Sequence, residues 1–195
     1  MTLMQPTPQR TANLDARAIT VLAHPLRSRI LSALRKGGPS TATTLARVLD
    51  TNTGATSYHL RKLAEVNLVE ETPDGVGKER WWKPTSDRHH FDATAVGDDP
   101  DARAAHDWLQ RHYFQIASDQ YSHWLDTAQD WPLDWQDASG GSDYVLQLTP
   151  ARAVAMAEEI EAVLEKYRTM PPATDATASR SIMHMVLFPE GTPPS

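Results

Sequence analysis

The side chains best placed to do chemistry in this 195-residue chain lie between Thr53 and Arg80. Thr53, Ser57, Tyr58, Arg61, Lys62 and Glu65 recur at spacings that gather them on the outward side of a helix, while Thr56, Leu60, Leu63 and Ala64 take the other side. The outward set consists mainly of donors and cations, with no nucleophile–base pair and no paired carboxylates. Such a face suits recognition of phosphates and base edges: cations meet the first, and Ser, Tyr and Arg can pair with the second. Gly54, in the first turn, keeps the approach to the helix's N-terminal amides open for a phosphate. Lys78 and Arg80 add positive charge further on. His59 falls between the two faces, where it can pack, touch phosphate or bind nothing.

Composition removes most competing chemistries. The chain has no cysteine, which excludes disulfides, thiolate metal sites and cysteine nucleophiles. It shows no phosphate loop, no nucleophile elbow and no Ser/His/Asp spacing, so an enzyme is not expected, nor a cofactor. No run of about 18 apolar residues could span a bilayer, and the N-terminal stretch lacks a signal-peptide core. The expectation is a cytoplasmic protein with no membrane partner. The net charge of −6 hides an asymmetry: residues 1–90 carry 13 basic and 8 acidic side chains (+5), residues 91–195 carry 6 and 17 (−11). A locally basic first half can bind a polyanion that the second half repels.

The elements that must hold this face can be read from periodicity and breakers. Residues 1–13 lack periodicity and read as a frayed tail, as does the Pro-rich end at 190–195. A short helix from Asp15 stops before Pro25, which opens a second helix carrying Leu26, Ile30, Leu31 and Leu34 and closed by Gly37-Gly38-Pro39. Thr41 caps a third, with Leu45, Ala46 and Leu49 on one side. Asn52 or Thr53 caps the fourth, which ends at Asn67, a residue that tolerates left-handed backbone. Alternation then begins: Leu68–Thr72, a turn around Asp74-Gly75, and Lys78–Lys83 returning, which reads as a hairpin. Trp81 and Trp82 should face opposite sides of the returning strand.

Three helices, an outward-polar fourth and a basic hairpin form the layout of a winged helix-turn-helix. The segments His24-Pro25-Leu26-Arg27-Ser28-Arg29-Ile30-Leu31, Leu45-Ala46, Ser57-Tyr58-His59-Leu60-Arg61-Lys62-Leu63 and Leu68-Val69-Glu70 resemble the ArsR-type winged-helix repressors of bacteria over about residues 14–84. The resemblance implies a homodimeric transcriptional regulator on double-stranded operator DNA, usually controlled by an effector. Asn67 stands where the family commonly has Gly, and the family's cysteine metal motif is absent. Zinc sensors of this type use Asp-x-His and, ten residues on, His-x2-Glu or His; here Gln110-x-His112 and His123-x2-Asp126 hold that spacing, with an amide in place of the first carboxylate. Metal binding is therefore not expected. The rival reading is a winged helix that binds protein instead of DNA; the basic fourth helix argues against it.

The second half reads as a long helix from Asp99-Pro100 to about Ala128, too long for a small domain to cover alone and therefore assigned to dimerisation. Seven of the 14 aromatic residues lie between His106 and Trp135. They suit a dimer core; an aromatic or apolar effector pocket at Trp108, Tyr113, Tyr121 and Trp124 is the alternative. Beyond a loop at 132–142, Tyr144–Leu148 reads as a strand, Thr149-Pro150 starts a helix to about Arg168 with an inner stripe of Val154, Ala157, Ile160, Leu164 and Tyr167, and Ile182–Phe188 reads as a last strand. The expected fold is mainly α with small β: a winged helix-turn-helix domain over 14–90, then a helical dimerisation and effector region over 99–190 built from the long helix and a β-α-β appendage.

Overall fold

The structure, a computed structural model, describes residues 10–72, 79–91, 96–171 and 173–192. The chain divides into two units, the boundary falling between Gln115 and Ile116. No described helix is long and apolar enough to cross a membrane.

The first unit contains the whole buried apolar core. Its elements are β1 (Thr11–Leu14), α1 (Ala16–Leu22), α2 (Pro25–Gly37), β2 (Ser40–Thr41), α3 (Ala42–Val48), α4 (Thr53–Ala64), β3 (Val69–Thr72), β4 (Trp81–Pro84), β5 (Arg88–Phe91) and the beginning of α5 (Pro100–Thr127). Each helix starts where a polar side chain can take an orphan amide. Asp15 accepts from the Ala18 N–H at 2.7 Å, His24 Nδ1 from Leu26 at 3.1 Å, Thr41 from Thr44 at 3.2 Å and Asn52 from Ala55 at 2.8 Å. Beyond α4, Asn67 adopts φ +56°, the left-handed conformation its amide side chain tolerates. The apolar stripes of α1 to α4 meet in one core of Ile19, Leu22, Ile30, Leu31, Leu34, Leu45, Leu60 and Leu63, which Leu68, Val69, Trp82 and Leu109 complete.

The wing is a three-stranded antiparallel sheet in the order β2-β4-β3, with Thr72 opposite Trp81 and Val69 opposite Pro84. Trp82 is buried and Trp81 only partly so, as pleat alternation requires. The frayed tail assigned to residues 1–13 is corrected at its end: Thr11–Leu14 is a strand pairing in parallel with Arg88–Phe91. Four residues give no usable period, and the partner lies 77 positions away, so local pattern could not reveal the pairing.

The second unit holds the rest of α5, a 3-10 turn at Ala128–Asp130, α6 (Leu133–Ala138) and α7 (Pro150–Thr169). Two expectations change here. The loop assigned to 132–142 contains α6, begun by Pro132. The β-α-β appendage is reduced to its helix: neither 144–148 nor 182–188 belongs to a ladder among the described residues. A short apolar run favours extended backbone, but a strand exists only where another strand supplies its hydrogen bonds. Nor is the stripe of α7 an inner one, since α7 buries no residue and Val154 and Tyr167 are exposed.

Candidate nucleic-acid interface

Helix α4 presents two adjacent polar stripes, because residues four apart lie above one another. Thr53, Ser57 and Arg61 form the first. They line an open cleft of about 320 Å³ whose other walls are Thr41, Ala42 and Thr43 of β2 and α3, and Glu79, Arg80 and Trp82 of the wing. Thus four of the nine residues expected at the interface converge on one concavity bounded by α4 and by the wing. Arg61 is exposed and has no ion-pair partner among the described residues.

Tyr58 and Lys62 form the second stripe. Lys62 Nζ lies 2.9 Å from the Glu65 carboxylate and 5.9 Å from the centre of the exposed Tyr58 ring. Arg80 Nη1 is likewise 3.0 Å from Glu71 Oε1, and Lys83 Nζ is 3.3 Å from Glu70 Oε1. Pairs this exposed are worth less than about 1 kcal/mol each, so a stronger anion can take over the cation at little cost. Gly54 is exposed near the helix start; a Cβ there would approach Asn52 Oδ1 at 3.4 Å, ordinary contact, so the glycine is not forced by packing within the protein. Lys78 lies outside the described residues.

His59 is half-buried beside two other rings. Its ring sits 4.4 Å from that of His24 and 5.2 Å, edge-on, from Tyr58, and its Nδ1 is buried without a hydrogen-bond partner. Desolvation first, then the neighbouring His24 and Arg27, lowers its pKa; desolvation and Arg27 do the same to His24. Both imidazoles are therefore biased to the neutral form, and His24 Nδ1 can accept the Leu26 amide only in that form. Sequence reading missed Thr43 and Glu79 as cleft residues. Thr43 is exposed on α3, and only tertiary packing shows that its flank faces Arg61.

The four aromatic residues proposed for an effector divide between the units. Trp108 stacks on His112 with centroids 4.7 Å apart and rings inclined by 17°. Tyr113 packs 5.5 Å from His89, and burial pushes its hydroxyl up to about 12 despite the opposing influence of Arg35. In the second unit Tyr121 is exposed, and Trp124 meets Trp131 edge-on at 5.9 Å, which in turn meets Trp135 at 6.2 Å. Leu109, on the face of α5 assigned to the dimer seam, is fully buried in the first unit's own core. His112 bonds through Nε2 to Ser28 Oγ at 3.0 Å, and the described residues contain no cluster of three metal-ligating side chains.

Residues 22–72 match the family described as a helix-turn-helix domain. No curated protein matches the sequence. Among solved structures, the homodimeric winged helix-turn-helix DNA-binding domain of a possible ArsR-family transcriptional regulator from Mycobacterium bovis is 23% identical, covering 54% of this chain and 78% of that one, with a TM-score of 0.34. A possible transcriptional regulator for arsenical resistance is 24% identical over 53% of this chain and 95% of that one, with a TM-score of 0.32. The Zα domain of Carassius auratus PKZ, solved with Z-DNA, is 25% identical over 30% of this chain and 90% of that one, with a TM-score of 0.28.

Proposed function

We propose that the chain, whose residues 22–72 match a helix-turn-helix domain, is a DNA-binding transcriptional regulator with a winged helix-turn-helix module of the ArsR type. In this reading it is a homodimeric repressor on operator DNA, answering to an effector bound in the second half of the chain. The observation that carries the reading is the cleft in which Thr53, Ser57 and Arg61 of α4 stand opposite Arg80 of the wing. A helix of this width enters the major groove, where Arg61 pairs with a guanine edge, Ser57 and Tyr58 reach neighbouring bases, and the amides near Gly54 meet a phosphate. Arg80, Lys62 and Lys78 hold the flanking backbone, which sets register and adds no sequence information. Two copies related by a twofold axis would read an inverted repeat with half-sites about 34–36 Å apart.

Selection of bound duplexes from a random library tests this directly. The expected product is an inverted repeat with that spacing, recovered by the wild-type chain. Arg61→Ala should lose about 1–3 kcal/mol of discrimination at one base pair of each half-site. Recovery of unrelated sequences, or an unaltered consensus with Arg61→Ala, would overturn the assignment.

A further inference from the structure

The second unit leaves exposed what a folded protein normally covers. No described residue of the second unit is buried, while the first unit holds the described core.

Two stretches account for the most apolar part of this exposure. Residues 144–148 (Tyr-Val-Leu-Gln-Leu) and 182–188 (Ile-Met-His-Met-Val-Leu-Phe) carry no charged carboxylate, ammonium or guanidinium group, in a unit where residues 116–195 hold 12 acidic and 4 basic side chains (−8). Val145 is 89% exposed and Phe188 74%. Within the described residues neither stretch belongs to a ladder. The second is apolar on both faces apart from His184, the pattern of a strand buried on both sides. Asp143 precedes the first stretch and Glu190 follows the second, as gatekeepers flank hydrophobic strands that must stay soluble until paired. The flank of α7 bearing Val154, Val163 and Tyr167 is exposed as well.

We propose that a second copy of this chain covers residues 144–148 and 182–188, both stretches becoming strands of a β-sheet shared between the two copies. The unit's charge of −8 disfavours nucleic acid at this surface. The interfaces of permanent homodimers have cores that are apolar and poor in charge, which is the composition of these two stretches. The proposal rests on the homodimer of the preceding section and moves its seam: Leu109 is consumed by the first unit's core, so the uncovered ribbons, not that face of α5, supply the contact.

Sedimentation of the full chain without DNA, combined with amide hydrogen exchange over a dilution series, tests it without reference to DNA binding. A dimer is expected, with amides of 144–148 and 182–188 protected at high concentration and at least tenfold faster to exchange once dilution separates the copies. Val186→Asp should raise the dissociation constant at least tenfold while the amides of α2 and α4 stay protected; Leu146→Asp provides an independent repeat. A monomer overturns both this proposal and the dimer, and leaves the reading of α4 untouched. A dimer whose ribbons exchange rapidly at every concentration places the seam elsewhere. Protection that persists in the dilute monomer means the ribbons pair within one chain, and equally overturns the proposal.

Discussion

Acid should loosen the first unit through one histidine. Arg35 of α2 is largely buried; its Nε donates to the Ser86 carbonyl at 3.0 Å, its Nη2 to Ser86 Oγ at 3.1 Å, and its Nη1 lies 2.6 Å from His89 Nδ1. The guanidinium has only donors, so Nδ1 must accept, which requires a neutral imidazole. Burial, and secondarily the Arg35 charge, lowers the His89 pKa to about 3. The unfolded chain takes up the proton near 6.5, so the stability held by neutral His89 is complete above that pH and is lost progressively as pH falls toward 3. At pH 5 the loss is about 2 kcal/mol, the free energy of protonating a free imidazole 1.5 pH units below its pKa. His24, His59 and His112 are also shifted down and add to the slope, so the informative quantity is a difference between proteins. His89→Gln keeps an acceptor for Arg35 and does not titrate. Urea unfolding at fixed protein concentration should show the wild type losing about 2 kcal/mol more than His89→Gln between pH 7 and 5. Parallel pH profiles would refute the buried, neutral acceptor.

Three further outcomes follow from the same geometry. Arg80→Ala should weaken binding to all duplexes alike and reduce the salt slope by about 0.9, whereas Glu71→Gln, which removes the carboxylate 3.0 Å from Arg80, should tighten binding at low salt, an effect that fades as salt rises; anisotropy titrations in increasing KCl read both. Asn52→Ala removes the acceptor of the Ala55 amide and should cost about 1 kcal/mol in thermal or urea unfolding, with no change in which bases are preferred. Leu109→Ala should destabilise the first unit by about 2–5 kcal/mol and leave the dissociation constant of the dimer unchanged, since the side chain is fully buried within its own protomer; a weaker dimer without loss of stability would return Leu109 to the seam.

The parts of the fold that sequence disclosed are those where short-range rules suffice. Caps, proline starts and Asn67 are decided within four residues, and the stripes of α2 and α4 are each decided within one helix. The hairpin of β3 and β4 was legible for a related reason, since its strands follow one another and a turn dipeptide lies between them, whereas β2, which pairs with β4 from about 40 positions earlier, was not. The cleft was half legible. Thr53, Ser57 and Arg61 share a stripe by arithmetic alone, but their apposition to Thr43 and Arg80 depends on how α3 and the wing pack against α4. His59 shows the limit most sharply. A residue at the border between two faces is placed by its neighbour, and that neighbour, His24, comes from a different helix 35 positions earlier.

The pairing of β1 with β5 and the fate of the two distal ribbons are failures of opposite kind with one cause. In the first, a strand exists where no local signal announced it; in the second, short apolar runs announced strands that have no partner in the described protomer. Strand formation is a property of pairs, so a single segment's pattern can license extended backbone and nothing more. The same reasoning makes the unpaired ribbons informative. A long apolar edge is a liability that proteins ordinarily shorten, charge or cover, and here only the flanking Asp143 and Glu190 intervene. Covering therefore falls to another strand. In a chain whose first unit already closes its core without help, the free apolar surface of the second is where assembly, and with it the spacing of two reading helices on DNA, would be set.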